Sequence, residues 1–223
     1  MLLIVALHLG LTGLSASADT QQVTISGVPD VLDGDTLDIG PVRVRLHGID
    51  APETGQSCNA GGGATWRCGA RAAMRLSELI GARPITCDAL DRDPYGRIIG
   101  RCRADGLDLA DRLVTEGLAW AFAEYSTDDI QAESDARDRG VGIWQAPTQT
   151  AWAYRDDRWA RAVAGAPGGC PIKGNIGARS GERIYHTPWS PNYARTVIDE
   201  TQGERWFCDE AAATAAGWRR AGE

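Results

Sequence analysis

Between Asp33 and Glu53 the chain carries five carboxylates and two arginines, Arg43 and Arg45, in a fixed order. Asp33, Asp35 and Asp38 come first, then Arg45, then Asp50 and Glu53. Carboxylates at strand ends, beside a loop that can lend a backbone carbonyl, suit a hard, oxygen-seeking cation such as Ca²⁺. An arginine on the same strand suits a phosphate oxygen, because its planar fork matches that geometry. A carboxylate not needed for the cation can take a proton from water. Cation, arginine and base together describe hydrolysis of a phosphodiester. The plainer reading is an acidic hairpin with solvated charges. Asp33-Gly34-Asp35 alone would say no more than that, since Asp-Gly is a common turn pair. The ordered set as far as Glu53 is much harder to reach by accident.

These residues need a scaffold, and the sequence describes one. Leu37 and Ile39 lead into Gly40-Pro41, a turn signal. Val42, Val44 and Leu46 then alternate with Arg43, Arg45 and His47. Period two predicts a strand with one apolar and one cationic face. Gly48 ends it, and Pro52 keeps Ala51 out of helix, so 49–53 reads as a loop. A first strand is expected over 22–28. A helix is expected over 66–80, stopped by Gly81, and strands over 83–90 and 97–103 flank a polar turn. Asp108 is placed to cap a helix through Leu118, and Thr127 to cap another over 128–139. Between them Trp120 to Tyr125 reads as core or rim, with Tyr125 able to stack a base. Five or so short strands with three helices fit an OB-like barrel, an architecture that often binds oligonucleotides.

Four segments carry a resemblance: Asp33-Gly34-Asp35-Thr36, Val44-Arg45-Leu46, Ile49-Asp50-Ala51-Pro52-Glu53 and Asp93-Pro94-Tyr95-Gly96-Arg97. In this order they resemble the staphylococcal nuclease (thermonuclease) family, over about Val23 to Trp144. The resemblance implies an α+β fold, a five-stranded OB-fold β-barrel with three helices. It implies Asp35, Asp50 and the carbonyl of Ala51 as Ca²⁺ ligands. The family often has threonine where Ala51 stands; a backbone ligand survives that change, while any hydroxyl contact is lost. Glu53 is implied as general base or water positioner, and Arg45 and Arg97 as the groups that grip the scissile phosphate. Asp33 is expected behind the ligands, Asp93 and Tyr95 in shaping the turn, and His47 in no catalytic role. The implied activity is Ca²⁺-dependent cleavage of DNA and RNA with little sequence preference, leaving 3′-phosphates. Single-stranded DNA and RNA are the expected substrates, and the expected state is a monomer.

Composition sets the compartment and tempers the affinity. Leu2 to Leu14 is nearly all apolar, and Ala16-Ser17-Ala18 precedes Asp19 as a small-x-small cleavage site. The run is short of the ~20 apolar residues that span a bilayer. A signal peptide over 1–18 and a secreted or periplasmic bacterial protein are therefore expected. Six cysteines fit disulfides in an oxidising compartment. Cys58 and Cys68 bracket a Gly-rich loop, Cys87 and Cys102 sit on facing strands, and Cys170 and Cys208 lie near the ends of the C-terminal segment. The expected pairs are 58–68, 87–102 and 170–208. Net charge is −7; residues 19–146 hold 13 arginines against 21 Asp and Glu. That opposes a tight nucleic-acid binder, so weak, salt-sensitive substrate contacts are expected.

Residues 147–169 read as a partly helical linker between the nuclease-like domain, 19–146, and a small domain, 170–223, that ends in a helix over 209–220. The small domain resembles the sunset type, itself similar to the metal-binding module of the Ada repair protein. That module uses four cysteines for zinc. Cys170, Cys208 and His186 cannot close such a site alone, so a disulfide is the better reading. Two competing readings are a catalytically silent OB-fold binding module and a cell-envelope protein whose C-terminal domain sets its location.

Overall fold

A computed structural model of the chain describes residues 23–221. The expected signal peptide and its cleavage site lie outside the described residues. The chain opens with β1 (Thr24–Gly27), β2 (Asp30–Val31), β3 (Thr36–Ile39), β4 (Val42–Leu46) and β5 (Ile49–Asp50). A short ladder of β6 (Cys58–Asn59) and β7 (Thr65–Trp66) precedes helix α1 (Cys68–Ile80). β8 (Ile85–Arg92), β9 (Ile98–Ala104), β10 (Leu107–Asp108), α2 (Leu109–Thr115), β11 (Trp120–Ala121) and α3 (Ile130–Asp138) complete this part.

The main sheet runs β1-β8-β9-β4-β3-β2, with β10 on the side of β9. Five strands have four residues or more, and the two-residue β2 and β10 bring the sheet to seven. The sheet is curled, and β5 leaves it to pair with β11, Asp50 opposite Trp120. β4 runs parallel to β9, with Val44 opposite Ile98. That pairing brings Arg97, one residue ahead of β9, beside the strand that carries Arg45. The period-two pattern of β4 behaves as expected: Val44 and Leu46 are fully buried, while Arg43 and Arg45 keep partial access to solvent. The core joins Leu37, Val44, Leu46 and Ile85 of the sheet to Leu76 of α1 and Leu113 of α2.

All three expected disulfides form, Cys58–Cys68, Cys87–Cys102 and Cys170–Cys208. Several helix boundaries differ from the sequence reading. α1 starts at Cys68, because Trp66 pairs with Cys58 in the β6–β7 ladder. Asp108 caps α2 as expected, its carboxylate accepting the Ala110 and Asp111 N–H groups. That helix stops at Thr115, where Gly117 and Leu118 turn back their N–H groups onto Val114 and Leu113. α3 starts at Ile130, and its cap position is Asp129 rather than Thr127.

The rest of the chain holds α4 (Ala151–Gly165), β12 (Ile172–Ile176), β13 (Arg183–His186), β14 (Arg205–Phe207), α5 (Glu210–Ala215) and β15 (Arg219–Arg220). The four strands form one sheet in the order β14-β12-β13-β15. Ile172, Tyr185, Phe207, Ala213 and Trp218 pack as its core. The helix expected over 209–220 is cut short after Ala215. Gly217 adopts a left-handed φ of +79°, which only glycine takes at little cost. Trp218 then enters the core, and Arg219–Arg220 pair in parallel with Ile184 and Tyr185. This correction moves Arg220 from a helix face to a strand at the edge of a cleft.

Candidate active site

Asp33, Asp35, Arg45, Ala51, Glu53 and Arg97 line one cleft of about 1010 Å³, and Asp50 is buried against Arg45 beside it. One wall comes from the β3–β5 region and the turn before β9. The other comes from the C-terminal segment, through Arg155, Trp159, Trp189 and Arg220.

Asp35 and Asp50 are buried, at 4% and 0% exposure. Arg45 bridges them, with Nη1 2.9 Å from Asp35 Oδ1 and Nη2 2.9 Å from Asp50 Oδ1. The remaining Asp35 oxygen accepts the Ala51 N–H at 3.0 Å, and Oδ1 also accepts the Thr36 hydroxyl at 2.9 Å. Asp33 Oδ1 accepts the Asp35 N–H at 3.0 Å, which pins the turn before β3. Asp38 is not in this cluster; it pairs with Arg43 at 2.8 Å. Arg97 lines the cleft with Nε 2.6 Å from Asp93 Oδ2. The other oxygen of Asp93 accepts the Tyr95 and Arg97 N–H groups, so Asp93 shapes the turn as expected. Tyr95 lies against the Arg97 guanidinium, 5.5 Å from ring centroid to carbon, and lines the cleft too.

Glu53 is held by a residue that the sequence reading passed over. Gln56 is 1% exposed; its Oε1 accepts the Glu53 N–H at 3.1 Å, and its Nε2 donates to the Gln149 carbonyl at 2.7 Å. The Gln56 N–H closes the turn onto the Glu53 carbonyl at 2.7 Å. Helix α1 packs directly on this turn at Gly69. A Cβ there would lie 1.7 Å from the Glu53 carbonyl oxygen, so only glycine fits. The Glu53 carboxylate is met by Arg155, Nη1 to Oε1 at 2.8 Å, and the same guanidinium holds Asp50. No sequence signal marked Arg155, because α4 reads there as an ordinary charged helix.

The electrostatics are those of crowded buried acids. Burial, then the neighbouring Asp35 and Glu53, push the Asp33 carboxyl up to about 7. Asp35 is also desolvated, but Arg45, the Ala51 N–H and Arg97 hold it below its usual range. Burial raises Glu53, against the pull of Arg220 and Arg155. These acids are hard oxygen donors in mutual repulsion, and a divalent cation would relieve it. Among the described residues no three His, Cys, Asp or Glu side chains are grouped as a metal cage. Asp35 and Asp50 set two carboxylates next to the Ala51 backbone, a donor set of the oxygen type that suits a partly hydrated Ca²⁺, with arginines engaged on both acids. In the C-terminal segment Cys170 and Cys208 are joined as a disulfide, and His186 Nε2 lies 2.9 Å from Asn175 Oδ1.

Residues 43–146 match the family described as staphylococcal nuclease homologue, and residues 156–220 match the family described as ArfC. ArfC stands where the sunset and Ada likeness was expected. The nuclease match takes in Arg45, Asp50, Ala51, Glu53 and Arg97, and begins after Asp35. The chain is 40% identical over 140 residues to succinoglycan biosynthesis protein ExoI of Rhizobium meliloti (strain 1021), covering 60% of this chain and 72% of that one. It is 32% identical over 133 residues to an uncharacterized endonuclease of Escherichia coli, covering 56% and 80%. It is 33% identical over 143 residues to micrococcal nuclease of Shigella flexneri, covering 56% and 76%. With these relatives matched over most of their length, and with the site's own geometry, the chain belongs to the staphylococcal nuclease homologue family.

Proposed function

We propose that this protein is an exported, Ca²⁺-dependent nuclease that cleaves DNA and RNA with little sequence preference and leaves 3′-phosphates. The class of reaction, hydrolysis of phosphodiester bonds, goes with the family and with endonuclease-named relatives. One observation carries the rest: Asp35, Arg45, Glu53 and Arg97 line a single cleft, and Asp50 is buried against Arg45 beside it.

Asp35, Asp50 and the Ala51 carbonyl are the groups that would hold Ca²⁺, which when bound screens the phosphate charge and polarises water. Arg45 and Arg97 offer guanidinium donors to the phosphate oxygens, where negative charge grows in the transition state. Glu53 takes a proton from the attacking water, or orients it, as water oxygen bonds to phosphorus. The bond from phosphorus to the 5′-oxygen breaks, giving a 3′-phosphate and a 5′-hydroxyl that gains its proton from solvent. Arg45 and Arg97 are each engaged by a carboxylate, so both stay oriented before substrate arrives. Phe122 and Tyr125, 4.9 Å apart between ring centroids, line the same cleft and offer flat faces to bases. The paired cysteines favour an oxidising compartment, and no described helix is long and apolar enough to cross a membrane. The chain divides at about 147 and 170 into a nuclease-like domain, a linker and a small domain that caps the cleft.

The test is digestion of single-stranded DNA by the oxidised protein with Ca²⁺ or EGTA, beside Glu53→Gln and Arg97→Ala. Cleavage lost in EGTA and strongly reduced in both variants is expected. Cleavage that persists in EGTA or in both variants overturns the cation or the residues assigned. A folded, Ca²⁺-binding protein that cleaves nothing favours the silent binding module.

A further inference from the structure

Arg155 reaches the cleft from α4 and closes two carboxylates that the reaction needs. Its Nη2 lies 2.7 Å from Asp50 Oδ2, and its Nη1 lies 3.1 Å from Asp50 Oδ1 and 2.8 Å from Glu53 Oε1. Asp50 is wholly buried. Its Oδ1 already accepts from Arg45 Nη2. Each carboxylate oxygen has two lone pairs, so Arg45 and Arg155 together fill Oδ1, and Arg155 takes half of Oδ2. A cation bonded directly to Asp50 finds only the second lone pair of Oδ2, on the oxygen that Arg155 Nη2 already holds at 2.7 Å, unless the guanidinium gives way. Two positive groups on one buried carboxylate also repel, and the low dielectric there strengthens that repulsion.

We infer that Arg155 is a positioning residue that occupies the cation's place on Asp50, so that Arg155 and a divalent cation compete for this carboxylate. The inference rests on the assignment of Asp50 as a Ca²⁺ ligand, and it concerns a residue outside the segment that matches the nuclease family. The guanidinium neutralises Asp50 and Glu53 in the cation-free protein and holds the two carboxylates together at the cleft wall. When a cation takes Asp50, Arg155 retains Glu53 Oε1 as its partner. The C-terminal segment thereby sets how much Ca²⁺ the site requires.

The experiment is calorimetric titration of Ca²⁺ into the oxidised full chain without nucleic acid. Wild type is compared with Arg155→Gln, Arg155→Lys and Arg161→Gln. Arg161 is on the same helix, exposed and paired with Asp157, so its loss controls for net charge. Arg155→Gln is expected to bind Ca²⁺ more tightly than wild type by on the order of tenfold, with Arg161→Gln unchanged. A merely structural role predicts the opposite sign, since a loosened site binds less well. Arg155→Lys keeps the charge but loses the fork, and is expected in between; it decides the matter if Arg155→Gln fails to fold. Unchanged or weaker binding in the folded Arg155 variants overturns the inference alone. Absence of Ca²⁺ binding in all four proteins overturns it together with the cation assignment, and cleavage of single-stranded DNA by the same samples then reports separately on the nuclease reading.

Discussion

The two walls of the cleft are built from different kinds of sequence. The first wall holds Asp35, Arg45, Asp50 and Glu53 on one hairpin and the loop after it, close together in the chain and locked by hydrogen bonds to backbone. The second wall holds Arg155, Trp159, Trp189 and Arg220, which come from a helix, a loop and an edge strand far apart in the chain. The first wall brings Asp35 and Glu53 together with Arg45 and Arg97; the second brings Arg155, Arg220 and the Trp159 and Trp189 rings beside Asp156, Asp209 and Glu210. A reaction on an anionic chain needs both, because a net-negative cleft repels its substrate until positive groups offset it. On the mechanism proposed above, the first wall carries the chemistry, and the second sets the terms on which substrate and cation enter.

If that division is right, damage to the first wall will abolish turnover and damage to the second will change binding. The largest effect is expected for Glu53→Gln, with kcat lower by roughly 10²–10⁴-fold and single-strand binding nearly unchanged. Comparable losses of kcat and of binding would show that Glu53 is a binding residue and would blur the two walls. Next comes the staple of the second wall. Cys170→Ser with Cys208→Ser should destabilise the C-terminal segment by roughly 2–5 kcal/mol, because only five buried residues form its core. Limited proteolysis should then cut after about residue 147 and leave the curled sheet intact. Simultaneous loss of both parts in one melting step would show a single cooperative unit.

A smaller effect is expected for Trp189→Ala. Trp189 faces the cleft, 6.2 Å between ring centroids from Trp159, and its Nε1 is buried with no partner among the described residues. Weakening of oligonucleotide binding by about 1–3 kcal/mol is expected, with kcat nearly kept, by fluorescence titration. The smallest effect lies outside both walls, at Asp129. Burial, then Asp108, Asp111 and Asp128, raise its carboxyl from 3.8 to about 6. A raised acid favours the folded state while protonated, so its contribution is full below pH ~4 and is lost as pH rises through ~6. Asp129→Asn should remove that loss and stabilise the protein at pH 7 by about 1 kcal/mol. A melting temperature that falls at pH 7 would mean the carboxylate has an unseen favourable partner.

The same contrast explains what could be read from the chain alone. That Asp35, Arg45, Asp50 and Glu53 come close together was legible, because a hairpin and the proline loop after it carry them within residues 35–53 of the chain. The disulfide pairs were legible for the same reason: Cys87 and Cys102 sit opposite each other in a hairpin register that the turn between them sets. Arg155 was not legible. Its neighbours Asp156, Asp157 and Arg158 make α4 look like a solvated helix face, and its partners lie in a different part of the chain. Gln56 was hidden because a buried amide has no periodic signal; only its bonds to Glu53 and Gln149 reveal it. Arg220 was misplaced, though a sign was present. Gly217 after an alanine-rich run marks a helix end, and reading it so would have freed Arg219–Arg220 to be a strand.

The spacing of Arg155 from its partners also has a meaning in time. A chain is made from its N-terminal end, and Arg155 follows Glu53 by 102 residues. The hairpin with Asp50 and Glu53 therefore emerges from the ribosome well before the guanidinium that covers it. During that interval Asp50 has Arg45 as its guanidinium partner and Glu53 lacks Arg155, and the cleft has one side only. The last strand, with Arg220, arrives later still, so the order of synthesis is also the order in which the site acquires its positive charge.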